Sequence, residues 1–191
     1  MKKTDWIQTF TGKQFYPLEP DAELICLEDI GHSLAHQCRF GGHCRTFYSV
    51  AQHSIIVAQN VPVVDRLEAL FHDAAEAYLV DLPRPIKAFM PGYRKYEAKL
   101  MAAISKRFDL TPMALTRAKE IDEVVLYWEG VNMMPDVSVW NIKRPELKIE
   151  SQAFMSWPPE SAENRFLEIA KHDIRMRQAR KAQVSQDEYI G

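Results

Sequence analysis

Two histidines and two aspartates in this chain have the residue types of a metal site. His53 precedes the adjacent pair His72-Asp73, and Asp122 follows further along the chain. Two imidazoles and two carboxylates can hold a divalent ion and leave coordination positions open for water and substrate. An ion held in this way lowers the pKa of a bound water and polarises a phosphoryl oxygen. The set therefore indicates hydrolysis of a phosphate ester.

Glu76 extends this set by a further carboxylate. It follows His72 by four residues, so that both side chains lie on one face of a predicted helix. A glutamate that stays unbound to the ion can hold the attacking water in line or accept its proton. The set contains no obvious nucleophile for a covalent intermediate, which favours direct attack by water.

The first element that must position these side chains is a helix after Ser49. Ser49 is a good N-cap, and Gln52 completes a capping box three residues later. Pro62 ends the helix. His53 lies on the apolar face of this helix, so we expect its ring to point into the protein.

Two more predicted helices carry the other ligands. One runs from Val64 to Leu79 and holds His72-Asp73; the other begins at Thr111-Pro112, runs to about Glu129 and holds Asp122. The short connection around Pro62 makes the first two helices antiparallel neighbours. Each ligand lies on or near an apolar stripe, and buried charges need partners.

The remaining segments complete one all-α domain over residues 1–191, with its core at about 25–180. They are a small N-terminal hairpin of Ile7–Phe10 and Gln14–Tyr16, a helix over Ile25–Cys38, a non-helical connector at Asp81–Pro85, helices at Tyr93–Phe108 and from Ser161 to about Arg180, an ordered loop with short helical turns at 130–159, and a frayed polar tail at 181–191.

Composition excludes several classes of function. The net charge of −2 predicts no general attraction to nucleic acid or to membrane surfaces. No apolar run has the length of a signal peptide or approaches the roughly 18 residues that span a bilayer. Three cysteines without a close pair indicate reduced thiols. We therefore expect a cytoplasmic protein.

Each ligand also has a structural alternative when it is taken alone. An isolated His53 would more often be a hydrogen-bonded core histidine than a ligand, and an isolated Asp122 would be a solvated acid. The joint pattern on three helices favours the metal site.

Two other groups of residues have some metal-binding character. His32 and His36 are four residues apart and share a helix face, but they lack the glutamate of a zinc-protease helix. Cys38 and Cys44 flank His43 without a C-x-x-C knuckle. The sequence favours a structural role for both groups.

The extended motifs resemble those of the HD-domain phosphohydrolase superfamily, and in particular its bacterial 5′-deoxynucleotidases and the phage enzymes that dephosphorylate dATP. The resemblance covers roughly residues 25–130. It is carried by His53-Ser54, His72-Asp73-Ala74-Ala75-Glu76, Asp81-Leu82-Pro83-Arg84-Pro85-Ile86-Lys87, Asp122, and the upstream segments Arg39-Phe40-Gly41-Gly42-His43 and Phe47-Tyr48-Ser49-Val50-Ala51-Gln52-His53, which look like the phage and prophage branch.

The resemblance implies an HD-domain helical bundle and a role for each matching residue. His53, His72, Asp73 and Asp122 match the metal ligands. Glu76 matches the acid that positions the catalytic water, so that Glu76 and Asp73 are the expected catalytic residues.

The implied substrate contacts lie on both sides of the His72-Asp73 pair. Asp81 matches an acid near the substrate sugar or phosphate. Arg39 is expected to meet phosphate, and the Phe40 ring to pack on deoxyribose, where relatives often have tryptophan. Lys87 and His43 are further candidates for phosphate contact, with a solvated lysine and a cap of the local backbone as their structural alternatives.

The expected activity is metal-dependent removal of phosphate from deoxynucleoside triphosphates, dATP favoured, by attack of a metal-activated water. The alternatives are a 5′-deoxynucleotidase acting on dNMPs and a non-catalytic nucleotide-binding module. Zinc, cobalt, manganese or iron fits the ligands, and magnesium can accompany the substrate phosphates. The relatives imply a homo-oligomer in the cytosol of a bacterium or phage-infected host, without a nucleic-acid or membrane partner.

Overall fold

Helices form most of the chain after a short β-hairpin near the N-terminus. The computed structural model describes residues 5–190, with side chains described as far as residue 183. Strands β1 (Ile7–Gln8) and β2 (Gln14–Phe15) pair in antiparallel fashion. Gly12 has a φ of 82° in the connecting turn, a conformation that costs glycine little. The predicted hairpin is confirmed.

The helices are short in the first half of the chain and long in the second. Their bounds are α1 Leu27–His36, α2 Val50–Gln59, α3 Arg66–Phe71, α4 Glu76–Leu79, α5 Arg84–Lys87, α6 Pro91–Phe108, α7 Pro112–Met133 and α8 Pro159–Ile190, with 3-10 turns at Ala22–Leu24, Arg39–Gly42, Val63–Asp65 and Ser151–Phe154. This order confirms the all-α fold class.

Helix α2 lies at the centre and contacts α1, α3, α7 and α8. All its residues except Gln59 are buried, which leaves His53 no access to bulk solvent. The predicted cap is confirmed, because the Ser49 hydroxyl accepts a hydrogen bond from the backbone nitrogen of Gln52 at 3.0 Å. The local sequence thus fixes the start of the helix that carries the first ligand.

The prediction of one continuous helix from Val64 to Leu79 is wrong. Turn-type hydrogen bonds link Ala74 to Phe71 and Glu76 to Asp73, between α3 and α4. A side-chain contact accompanies the break: Nδ1 of His72 donates to the carbonyl of Ala69 at 2.7 Å. A continuous helix would offer that carbonyl to the backbone nitrogen of Asp73. The ligand pair therefore lies in a tight turn.

The connector after α4 is also only partly as predicted. Residues 81–83 are non-helical, but α5 begins at Arg84 and includes Pro85. Proline is tolerated there because the first turn of a helix has no backbone acceptor for its nitrogens. Val80 precedes the connector with a φ of 72°, an uncommon conformation for a β-branched residue, and ends α4.

The last two helices extend beyond their predicted ends. Helix α7 continues past Glu129 to Met133, and the irregular segment that follows agrees with the predicted loop and turns. The backbone of α8 continues to Ile190, through most of the segment 181–191 for which a frayed tail is predicted; residue 191 lies outside the described residues.

Helix α8 runs against α1, and the two approach closely at Gly31. A Cβ atom added there would lie 2.9 Å from Cδ2 of Leu167. This close packing fixes α8 across the face of α1. Within the described residues, no helix combines the length and the apolar character that a bilayer span needs.

Candidate metal centre and adjoining cavity

Two imidazole rings converge between α2 and the turn after α3. The Nε2 atoms of His53 and His72 lie 3.2 Å apart. Their Nδ1 atoms face acceptors: Oε1 of Glu129 is 2.6 Å from His53, and the Ala69 carbonyl is 2.7 Å from His72. Because both acceptors need a proton on Nδ1, they direct the Nε2 lone pairs toward a common point.

Carboxylates complete this cluster. Oδ1 of Asp122, on α7, lies 3.1 Å from Nε2 of His53 and 3.9 Å from that of His72. Oδ2 of Asp73 lies 3.1 Å from Nε2 of His72 and 3.6 Å from that of His53. The ligand atoms of His53, His72 and Asp122 all lie within 4.8 Å of one another, so this buried group can bind a divalent ion.

The electrostatics of the cluster favour positive charge between the rings. Burial lowers the pKa of His72, but Asp73 and Asp122 outweigh it and raise that pKa to about 9. Burial likewise raises the pKa of Asp122, whereas His53 and His72 bring it down to about 2. For Asp73, the same two imidazoles outweigh burial and hold the pKa well below its usual range. The cluster therefore favours the binding of a cation between the two rings.

Glu76 lies beside the cluster at the start of α4. Its Oε1 accepts a hydrogen bond from Nζ of Lys87 at 3.0 Å, while its buried Oε2 has no partner among the described residues. Burial, then Asp73 and Asp81, raise the pKa of Glu76 well above its usual value. Lys87 also donates to Oε1 of Glu97 at 2.7 Å, so the ammonium is held between two acids. The predicted phosphate contact is thus already paired.

A cavity of about 1130 Å³ opens on the cluster. Most of the predicted site residues line it, while His53 lies behind the wall. The lining includes Arg39, Phe40, His43, His72, Asp73, Glu76, Asp81, Lys87 and Asp122. Its size and its mixture of apolar and charged groups suit a ligand as large as a nucleotide.

The lining of the cavity includes an aromatic pair. The ring centroids of Phe40 and Trp140 lie 5.8 Å apart at an interplanar angle of 44°. Phe40 has a φ of 57° inside the turn at Arg39–Gly42, an uncommon conformation for a bulky residue that directs it into the wall. His43 follows in the same turn, and its backbone nitrogen donates to the carbonyl of Phe40.

No family model matches this chain. Among curated proteins, it is 41% identical over 138 residues to the uncharacterized protein YfdR of Escherichia coli strain K12, an alignment that covers 72% of the chain and 78% of YfdR. The chain belongs to the YfdR family. Another relative is an uncharacterized protein of Rhodobacter capsulatus, 35% identical over 136 residues that cover 64% of the chain and 69% of the relative.

In this member of the YfdR family, sequence reasoning missed a buried acid, Glu129. One of its oxygens accepts from His53, and the other lies 3.0 Å from a terminal nitrogen of Arg39. A second terminal nitrogen of Arg39 lies 3.7 Å from Asp73. Spacing could have revealed Glu129, because it follows Asp122 by two helical turns and therefore shares its face of α7.

Three cations in the cavity wall were also missed. Arg84 on α5 pairs with Oδ2 of Asp122 at 3.1 Å and with Glu123 at 2.7 Å. Arg94 and Lys119 line the cavity, are exposed, and form no ion pair within the part of the chain that the structure describes. Lys119 lies one turn before Asp122, a spacing that would have placed it beside the cluster.

Proposed function

We propose that this protein is a metal-dependent phosphohydrolase of the HD-domain type that acts on deoxynucleoside triphosphates, with dATP as the first candidate. The observation that carries the proposal is the convergence of both Nε2 atoms, Asp73 and Asp122 beside an unpartnered oxygen of Glu76. Ligands and a spare buried acid within one cavity are what metal-assisted hydrolysis needs. The motif resemblance supports the same reaction class.

Four side chains would hold the ion, namely His53, His72, Asp73 and Asp122. A divalent metal in this place supplies Lewis acidity toward a phosphoryl oxygen and activates water. Zinc, cobalt, manganese or iron suits two imidazoles with two carboxylates, and magnesium can enter with the phosphates.

Glu76 orients the attacking water and takes its proton. The hydrogen bond from Lys87 fixes the position of Oε1, and Oε2 remains available to the water. Burial raises the pKa of Glu76, which makes the carboxylate a stronger base than an exposed one. The hydrolysis needs no covalent enzyme intermediate.

Different groups of the cavity lining bind the phosphates and the sugar. Lys119 and Arg94 have no competing carboxylate partner among the described residues, so they can take the outer phosphates of a triphosphate. Arg39, already held by Glu129, presents a rigid edge to the phosphate nearer the ion. Phe40 packs on the deoxyribose, and Asp81 also lines the cavity.

The test is a substrate panel. Purified protein is incubated with dNTPs, NTPs, dNMPs and NMPs, with zinc, cobalt, manganese or magnesium, and with a chelator. We expect release from dNTPs, fastest with dATP, that the chelator abolishes. Release from dNMPs alone would identify a 5′-deoxynucleotidase, and nucleotide binding without release under every metal would identify a binding module.

A further inference from the structure

A second group of potential ligands lies where α1 meets α8, outside the cavity. His32 and His36 are on α1, and Glu163 is on the first turns of α8. One nitrogen from each ring and a carboxylate oxygen of Glu163 lie within 4.8 Å of one another. The sequence has no glutamate next to the histidine pair, and Glu163 supplies this carboxylate from a distant part of the chain.

The His32 ring is held on both faces. It stacks on Phe10 with centroids 3.7 Å apart and on His36 with centroids 4.1 Å apart. Its Nδ1 lies 3.0 Å from Oε2 of Glu163. The carboxylate accepts, so Nδ1 carries the proton in this contact. The ring therefore keeps one orientation in which Nδ1 faces the acid.

The His36 ring is oriented by its own helix. Its Nδ1 lies 2.8 Å from the carbonyl of His32 and must donate to it. In the neutral ring, Nε2 is then the nitrogen with the free lone pair, and the side chain is exposed. A hydrogen bond from the nitrogen that does not bind the metal fixes the tautomer and the direction of a metal-binding histidine.

We propose that His32, His36 and Glu163 form a binding site for a divalent transition-metal ion, with zinc as the best match. Zinc accepts two imidazoles and one carboxylate in a tetrahedral arrangement that leaves one position to water. At zinc–ligand bonds near 2.0–2.2 Å, neighbouring ligand atoms lie about 3.3 Å apart. The 3.0 Å separation between His32 and Glu163 is close to this value, and the ligand nitrogen of His36 lies within 4.8 Å of both atoms.

When the metal ion binds, it replaces the proton shared between His32 and Glu163. The Nδ1 proton of His32 leaves to solvent, and Nδ1 and Oε2 of Glu163 then bind the ion instead of sharing that proton. The ion joins α1 to α8, so it stabilises the contact between these helices. This site shares no residue with the central cluster and does not depend on the proposed hydrolytic activity.

Titration calorimetry of the full chain with Zn²⁺ tests the site. We expect two binding events in the unmodified protein. His36→Ala should weaken one of them by at least about tenfold, since loss of even an outer-shell partner costs that much. His72→Ala should remove the other event. His172→Ala, which alters an exposed histidine elsewhere on α8, should change neither.

Glu163→Gln separates a metal ligand from a hydrogen-bond partner. The amide oxygen still accepts from His32, so we expect the metal-free melting temperature to stay near that of the unmodified protein while Zn²⁺ affinity falls. In the His72→Ala background, Zn²⁺ should raise the melting temperature, and adding His36→Ala should remove that rise.

The outcomes are distinct for the two sites. An unmodified protein with one zinc event that His36→Ala leaves intact overturns this inference. Loss of the only event in His36→Ala, with no effect of His72→Ala, upholds it and removes the central metal centre instead. Unchanged Zn²⁺ affinity in Glu163→Gln removes Glu163 from the ligand set and overturns the three-residue site.

Discussion

Glu129 accepts a hydrogen bond from Nδ1 of His53 at 2.6 Å, and through its second oxygen it also holds Arg39. One fully buried carboxylate thus orients a proposed metal ligand and a proposed phosphate contact. The buried charge of Glu129 is offset by this pairing, because Arg39 and His53 outweigh burial and lower its pKa.

Glu129→Gln should weaken metal binding by about 10- to 100-fold, as expected when an outer-shell partner of a ligating histidine is lost. The amide can accept from one neighbour but presents its nitrogen to the other, so one of the two contacts fails. Metal affinity, measured by competition with a chelator, checks this. Glu123→Gln, on the exposed face of the same helix, is the control; equal affinities in the two variants would contradict the role of Glu129.

Glu76→Gln should leave metal content unchanged while the turnover number falls by about 10²- to 10⁴-fold, the range for loss of a general base. The amide keeps an acceptor for Lys87, so the change is small in shape. Metal analysis and phosphate release from dATP are measured on the same preparation. The matched control is Glu97→Gln, which also contacts Lys87 but does not adjoin the cluster. Near-normal turnover in Glu76→Gln would remove the proposed base.

Lys119→Ala should raise KM for a deoxynucleoside triphosphate about tenfold, with little change in KM for the monophosphate. A charge-assisted contact to an outer phosphate contributes on the order of 1.5 kcal/mol or more, and a monophosphate does not reach it. Steady-state kinetics on both substrates provide the comparison. Lys95→Ala, an exposed lysine that does not line the cavity, is the control. An equal rise in KM for both substrates would show that Lys119 does not contact an outer phosphate.

The parts of this fold that sequence predicts well depend on local chemistry. The cap at Ser49 and the hairpin turn at Gly12 need only neighbouring residues, and the structure confirms both. The inward position of His53 follows from helical periodicity, and the ring is fully buried. The sequence alone therefore predicts the helix that carries His53 and the inward direction of its ring.

Other features depend on contacts between distant residues. At the turn after α3, the His72 ring bonds the carbonyl of Ala69, a contact that helical periodicity does not show. Glu129 gains its role only when the segment after α1 brings Arg39 to α7. The cluster of His32 and His36 likewise needs Glu163 from α8. Such pairings follow from tertiary packing, and no local pattern specifies them.

Acid should destabilise the contact between α3 and α8 through Asp173. Its carboxylate receives hydrogen bonds from Nε of Arg66 at 2.7 Å and from a terminal nitrogen. Burial opposes the shift, but Arg66 and His172 lower the pKa of Asp173 in the folded state. A folded-state pKa below the unfolded value of about 3.9 stabilises the fold above that pH. This contribution is lost as the pH falls through the folded-state pKa.

The measurement is the free energy of unfolding in urea between pH 6 and pH 3. Asp173→Asn should be less stable than the unmodified protein at pH 6, and the difference should shrink toward pH 3, because below about pH 3.9 the unfolded chain binds a proton at Asp173 before the folded protein does. Other acids titrate in both proteins, so only the difference between them reports on Asp173. Asp5→Asn, at an exposed position near the N-terminus, should track the unmodified protein throughout. A difference between Asp173→Asn and the unmodified protein that stays constant with pH would show that Asp173 acts through packing rather than through its charge.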